Sequence, residues 1–273
     1  MGDGGHLKRT TLSRREFGKA LGVAGAAQAV PAAAEASTDT AALATQPPPA
    51  SPPAARTDAY TFFTADEARF VDAAIARLVP SDELGPGAAD AGVTTFIDRQ
   101  LSGTFGSAGK WYMRGPWGES TPEQGYQLPL TPRQLYRLSI DRIDRHAVET
   151  RGSSFHEWTP AQQDAWLSAM ERGDLPLADV PVRTFFEMLL ANTLEGFFAD
   201  PVHGGNRDKV GWRLVGFPGV AASYFARVDR YNEEYRVEPV SIVDVLDRRV
   251  RQDEHGHVVH ERLDGEPPRG SGR

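Results

Sequence analysis

Cysteine is absent from all 273 residues. That excludes disulfides, iron–sulfur ligation and thiolate zinc sites within this chain, so any such centre it works with is carried by another protein. Clustered lysine and arginine are missing from the body of the chain as well. Nucleic-acid binding draws its affinity from counterion release at phosphates, and without a basic stripe that class of partner is excluded. Long apolar runs are lacking too: the stretch Ala20 to Val30 holds about a dozen residues where a bilayer span needs ~20. Neither a G-x-S-x-G nucleophile turn nor a phosphate-loop or dinucleotide glycine pattern occurs.

What is there begins with a charge asymmetry. Residues 1–36 carry five basic groups against three acidic ones, so removing this head takes the formal charge from −7 to −9. Within it, Ser13, Arg14, Arg15, Phe17 and Lys19 stand ahead of a bland Ala/Gly-rich segment, with A-x-A cleavage sites at Ala32-Ala33-Ala34 and Ala34-Glu35-Ala36. This is the pattern of a twin-arginine export signal. That route carries proteins already folded, because they hold a cofactor or travel docked to a partner that does. Residues 37–59 are Ala/Pro-rich, with Pro47-Pro48-Pro49 and Pro52-Pro53, and read as a tether.

The body, residues 60–247, has the length of one domain. Thr64 with Glu67, Thr131 with Gln134 and Thr159 with Gln162 are capping-box starts, two of them with Pro at the first helical position. The spacing of apolar residues predicts helices from Thr64 to Val79, from Gly87 or Ala88 to Leu101, from Thr131 along the stripe Tyr136, Ile140, Ile143 and Ala147, and from Pro160 to Arg172. A fifth, beginning at Val182, has a double stripe that runs through Phe185, Phe186, Leu189, Leu190, Thr193, Leu194, Phe197 and Phe198, which makes it the central helix. A sixth is predicted from Val220 to Asn232, then a short strand or ordered arm from Glu238 to Leu246, then a charged, frayed tail over 248–273. The expectation is an all-α, orthogonal helical domain of about six helices with two long ordered loops.

Those loops hold the candidate functional residues. Loop one, Ser102 to Leu130, contains Trp111, Tyr112, Trp117 and Tyr126, residue types that either anchor protein interfaces or plug gaps between helices. Loop two runs from Asp200 through His203-Gly204-Gly205-Asn206 and Trp212 to Phe217. Its glycines could cradle an anion, and Asp200 with His203 could hold a metal, but the context of a phosphate loop and the spacing of a zinc helix are both missing. A backbone-shaping role for the glycines and Asn206 is the plainer reading. The histidines of 255–260 read as a solvated end, and the acidic pairs Asp82-Glu83 and Asp141/Asp144 as charged surface.

The segment Glu195-Gly196-Phe197-Phe198-Ala199-Asp200-Pro201-Val202-His203-Gly204-Gly205-Asn206, continuing through Gly211-Trp212 to Gly216-Phe217-Pro218-Gly219, resembles the signature of the gluconate 2-dehydrogenase subunit 3 family. Further likeness lies in Phe62-Phe63-Thr64, Pro80-Ser81-Asp82, Gly85-Pro86-Gly87-Ala88 and Gly115-Pro116. Two departures are Gly18, where the export consensus prefers Leu, and His203, where many members have Tyr. The resemblance implies a non-catalytic small subunit of a membrane-associated dehydrogenase complex facing the periplasm. Its partners would be a flavoprotein of the glucose-methanol-choline (GMC) type and a multihaem cytochrome c, so FAD and haem c belong to them and none to this chain. It also implies that the small subunit carries the export signal for the flavoprotein through the twin-arginine translocon. The interface candidates are then Trp111, Tyr112, Trp117, Asp200, His203, Asn206, Trp212 and Phe217. Rival readings are an independent metal-dependent enzyme built on loop two and a freestanding scaffold.

Overall fold

The computed structural model describes residues 59–118, 121, 124–220, 231–232 and 235–263. The expected export signal with Ser13, Arg14, Arg15, Phe17 and Lys19, the expected tether up to residue 58, and the predicted helix Val220 to Asn232 for all but its ends lie outside the described residues.

Seven α-helices make up the described residues, with three short 3₁₀ turns and no strand or sheet. The first five are α1 (Ala65–Leu78), α2 (Val93–Ser102), α3 (Pro132–Arg151), α4 (Pro160–Arg172) and α5 (Val182–Phe198). Local chemistry explains their ends. At α1 the Glu67 amide donates to Thr64 Oγ1 at 3.3 Å and the Thr64 amide donates to Glu67 Oε2 at 2.8 Å, satisfying two amides that the helix leaves unpaired. The same reciprocal boxes start α3 and α4, and Gly152 and Gly173 close them in the left-handed conformation. Helix α2 begins later than the apolar spacing suggests, because Gly92 takes φ +77° and interrupts the helical path between residue 88 and Val93.

Helix α5 is the centre: α1, α2, α3, α4 and the later α6 (Val210–Val215) all pack on it. Phe185 and Leu189 are fully buried, and Tyr136 stands 5.2 Å from Phe185 edge to face. The Tyr136 hydroxyl, sealed in this core, accepts a hydrogen bond from Asn192 Nδ2 at 2.9 Å, and burial pushes its ionisation well above the ordinary range. One position of the double stripe differs: Leu194 is 41% exposed, since α5 is covered on less than its full circumference there. No helix among the described residues is long and apolar enough to cross a membrane.

Of the two forms open to Glu238 to Leu246, the chain takes the ordered arm and not the strand: it makes single bridges, Val240 to Gly219 and Val237 to Arg262, and then turns into helix α7 (Ile242–Leu246). The cause is a capping box, in which Ser241 and Asp244 bond each other's amides. The tail expected to fray packs back as far as Leu263, with Val258 and His260 buried. Asp253 shapes that turn by accepting the amides of His255 and His257 at 2.9 and 2.8 Å.

Candidate functional site

Loop two lies across the C-terminal end of α5, and Asp200, Asn206 and Trp212 turn their polar groups to the backbone. A helix leaves its last carbonyls without intrahelical donors. Here Trp212 Nε1 donates to the Phe198 oxygen at 2.7 Å, and Asn206 Nδ2 donates to the Ala199 oxygen at 2.8 Å. Asn206 is wholly buried, sits at φ +47°, and accepts the Gly211 amide on Oδ1 at 2.8 Å. Asp200 uses one carboxylate oxygen for the Val202 amide at 3.0 Å and the other for the Ile242 amide at 2.9 Å. The glycines permit the approach: a Cβ on Gly205 would overlap the Gly196 oxygen, and one on Gly211 would overlap the Phe197 oxygen. Loop two is therefore a buckle that closes the central helix, as its plainer reading suggests.

Helix α6 (Val210–Val215) forms inside this buckle, where the apolar spacing marks no helix. Its Trp212 packs 5.2 Å from Phe217, which keeps 44% of its surface exposed. The arm beyond holds the buckle from outside. Lys209 Nζ lies 2.9 Å from Asp244 Oδ2, Arg213 pairs with Glu238, and the Val220 amide donates to the Val240 oxygen at 2.7 Å. Burial alone would raise the Asp244 carboxyl, but hydrogen bonds from Lys209 and Ser241 outweigh it and hold the group below the ordinary carboxylate range. A lowered folded value means stability that is present above the ordinary carboxylate range and lost as pH falls through the lowered one. The stability difference between wild type and Asp244→Asn is thus expected to be largest above about pH 5 and to shrink as pH falls below the ordinary carboxylate range, read by chemical denaturation at each pH. A gap that persists unchanged at the acid end would remove the ion pair from this account.

Loop one combines the two roles open to it. Trp111 is a plug, edge-on to Phe105 at 5.6 Å and tilted on Tyr126 at 5.1 Å. The Tyr126 hydroxyl donates to the Leu130 oxygen at 2.6 Å, and burial pushes its ionisation up to about 12. Tyr112 points the other way, 82% exposed, while Trp117 is half-buried against Gly115. Both loops border α2, whose ten residues span ~15 Å. Loop one leaves from its C-terminal end, and loop two lies along its start, where the Arg207 amide donates to the Ala91 oxygen at 2.9 Å.

Sequence reasoning passed over Asp98. This carboxylate, 3% exposed on α2, accepts the amides of Thr61, Phe62 and Phe63 at 2.8, 2.9 and 2.9 Å and the Thr61 hydroxyl at 2.8 Å. It fastens the start of the body to the core. Its position on the inward stripe of α2, between Ile97 and Leu101, was the available signal, because an acid there must find donors.

Elsewhere, the acidic surface offers little free chemistry. A groove of about 330 Å³ between the start of α1 and α3 is lined by Asp66, Glu67, Asp141 and Asp144. Each is engaged: Asp66 by Arg69, Glu67 by Arg137, Asp141 by Arg145, and Asp144 by Ser154 and the Phe155 amide. His203 is exposed, His255 and His257 are exposed, and no group among the described residues is arranged to hold a metal ion.

The site thus defines a helical domain in which a buckle of glycine, asparagine and tryptophan closes the central helix. The model of the gluconate 2-dehydrogenase subunit 3 family matches residues 65–219, more than half of the chain, and the chain belongs to that family. The match ends at the glycine that contacts Val240, so the clasping arm lies beyond it. Comparison with curated proteins and with solved structures finds no match. The family makes this chain a subunit of a gluconate 2-dehydrogenase type of complex.

Proposed function

We propose that this chain is a non-catalytic accessory subunit that binds a folded GMC-type flavoprotein and escorts it through the twin-arginine translocon to the periplasm. There the complex would be held at the membrane through a multihaem cytochrome c, with FAD and haem c in the partner subunits. The observation that carries the reading is the inward use of the signature. Asp200, Asn206 and Trp212, the polar residues an enzyme would need at its substrate, are bonded to this chain's own backbone. A domain built to hold its shape while exposing Tyr112 and Phe217 suits recognition better than turnover. The Arg14-Arg15 pair in front of it supplies the address.

Replacing Arg14 and Arg15 together by Lys is expected to strand the dehydrogenase activity in the cytoplasm, measured by fractionating cells and assaying dye reduction with the sugar acid. Periplasmic activity equal to wild type would refute the escort role.

A further inference from the structure

Arginine in the helical body is usually paired with a carboxylate, as Arg77 is with Asp164 and Arg145 with Asp141. Several exposed arginines break this habit, among them Arg114, Arg151, Arg248 and Arg251, but two further ones stand together. Among the described residues, Arg99 on α2 and Arg207 on loop two have neither an ion pair nor a side-chain hydrogen bond. They meet at a step between two glycines of positive φ. Arg99 Nη1 lies 3.0 Å from where a Cβ of Gly204 would stand, and Arg207 Nη2 lies 3.2 Å from where a Cβ of Gly92 would stand. The Gly204 oxygen is likewise 3.2 Å from that second position, so both guanidinium groups lie at one junction of helix and loop. In a chain of net charge −7, these two cations are left without a carboxylate at ion-pair distance.

The same junction continues into an apolar face. The 3₁₀ turn Pro201–His203 precedes Gly204, and α7 packs on that turn. Ile242 and Leu246, four residues apart and so on one side of α7, are 43% and 70% exposed. An apolar centre beside an unpaired, planar cation pair has the composition of a protein interface rather than of bulk surface.

We propose that Arg99, Arg207, Ile242 and Leu246 form the docking face for a partner subunit of the dehydrogenase complex, which meets the arginines with surface carboxylates. A small free anion is the poorer occupant, because exposed cations with no enclosing walls gain little from one contact in water, whereas a protein surface adds apolar burial to the charge pairing. This assignment rests on the accessory-subunit reading and sharpens it, by moving the interface from the buckle's own residues to the groups the buckle positions.

The test uses the full chain, tagged at its C-terminus and co-expressed with its neighbouring dehydrogenase subunits, with the captured flavoprotein identified by mass and flavin absorbance. Arg99→Glu with Arg207→Glu is expected to weaken capture by about tenfold or more and to flatten its dependence on salt, while Tm stays at the wild-type value. Arg172→Glu, a charge reversal elsewhere on the body, is the control and should capture as wild type does. Capture and salt dependence unchanged in the double variant would overturn the docking face while leaving the accessory-subunit reading in place. Failure of the wild type itself to capture any dehydrogenase subunit would overturn both. Stabilisation by inorganic phosphate that the double variant abolishes, with capture unaltered, would make the pair a small-anion site and overturn the protein assignment.

Discussion

Asn206→Ala is expected to lower folding stability by about 3–5 kcal/mol, the largest effect of any single side-chain truncation outside the aromatic core. Removing the amide leaves the Ala199 oxygen without its donor and the Gly211 amide without its acceptor, each worth about 1–3 kcal/mol in a buried setting. Alanine at φ +47° adds about 1 kcal/mol that asparagine largely avoids. Asn206→Gly, which relieves the backbone but not the bonds, should recover only that last part. Asn206→Asp separates the two bonds further. The Gly211 amide keeps an acceptor, while a carboxylate oxygen now faces the Ala199 carbonyl. Burial and that repulsion raise the introduced group's ionisation, so the variant should regain stability as pH falls and lose it as pH rises through the raised value. Urea denaturation of the three variants at neutral and acid pH reads all of this. A loss under 1 kcal/mol for Asn206→Ala would mean that the buckle contributes little to closing α5.

Asp98→Ala comes next, with an expected loss of about 2–4 kcal/mol. Three amides and one hydroxyl converge on a single nearly buried carboxylate, and without it all four donors lose their acceptor. The loss has a place as well as a size. Thr61 to Phe63 would detach from α2, and with them Phe63, which is buried 6.2 Å from Tyr136, and Phe62, under the Arg137 guanidinium at 4.4 Å. Asp98→Asn should be nearly as damaging, because it offers one acceptor oxygen and turns an NH₂ towards N–H donors. Denaturation gives the magnitude, and limited proteolysis gives the location, as new cleavage between Tyr60 and Thr64. Resistance of that segment equal to wild type would show that Phe63 alone holds it.

The two effects point to one design. The central helix is closed at its far end by the buckle and joined through α2 to the clasp at Asp98. The exposed groups that border α2, Arg99 and Arg207, are positioned by both. A weakened buckle is therefore expected to impair partner capture even when every docking residue is intact.

Legibility in the sequence divides along the same lines. Capping boxes, prolines at helix starts and the apolar stripes of α1, α3, α4 and α5 were readable, because each depends on residues within a few positions of one another. The helix expected from Gly87 or Ala88 runs through Gly92, and the interruption there shows only in its φ. Loop one is both plug and exposed surface, and nothing in Trp111-Tyr112 tells which ring turns inward. Whether Glu238 to Leu246 is a strand or an arm is not legible locally because its anchors are remote: Val240 is held by Gly219, Ile242 by Asp200, and Asp244 by Lys209.

By itself, the sequence determined the helical class, the family through its long glycine-rich signature and the absence of thiolate chemistry, since all of these are local or compositional. Only the tertiary structure decided what the signature is for. Whether Asp200, Asn206 and Trp212 face a ligand or the chain's own carbonyls depends on where the end of α5 lies. That is fixed by packing among residues far apart in the chain, which no local pattern records.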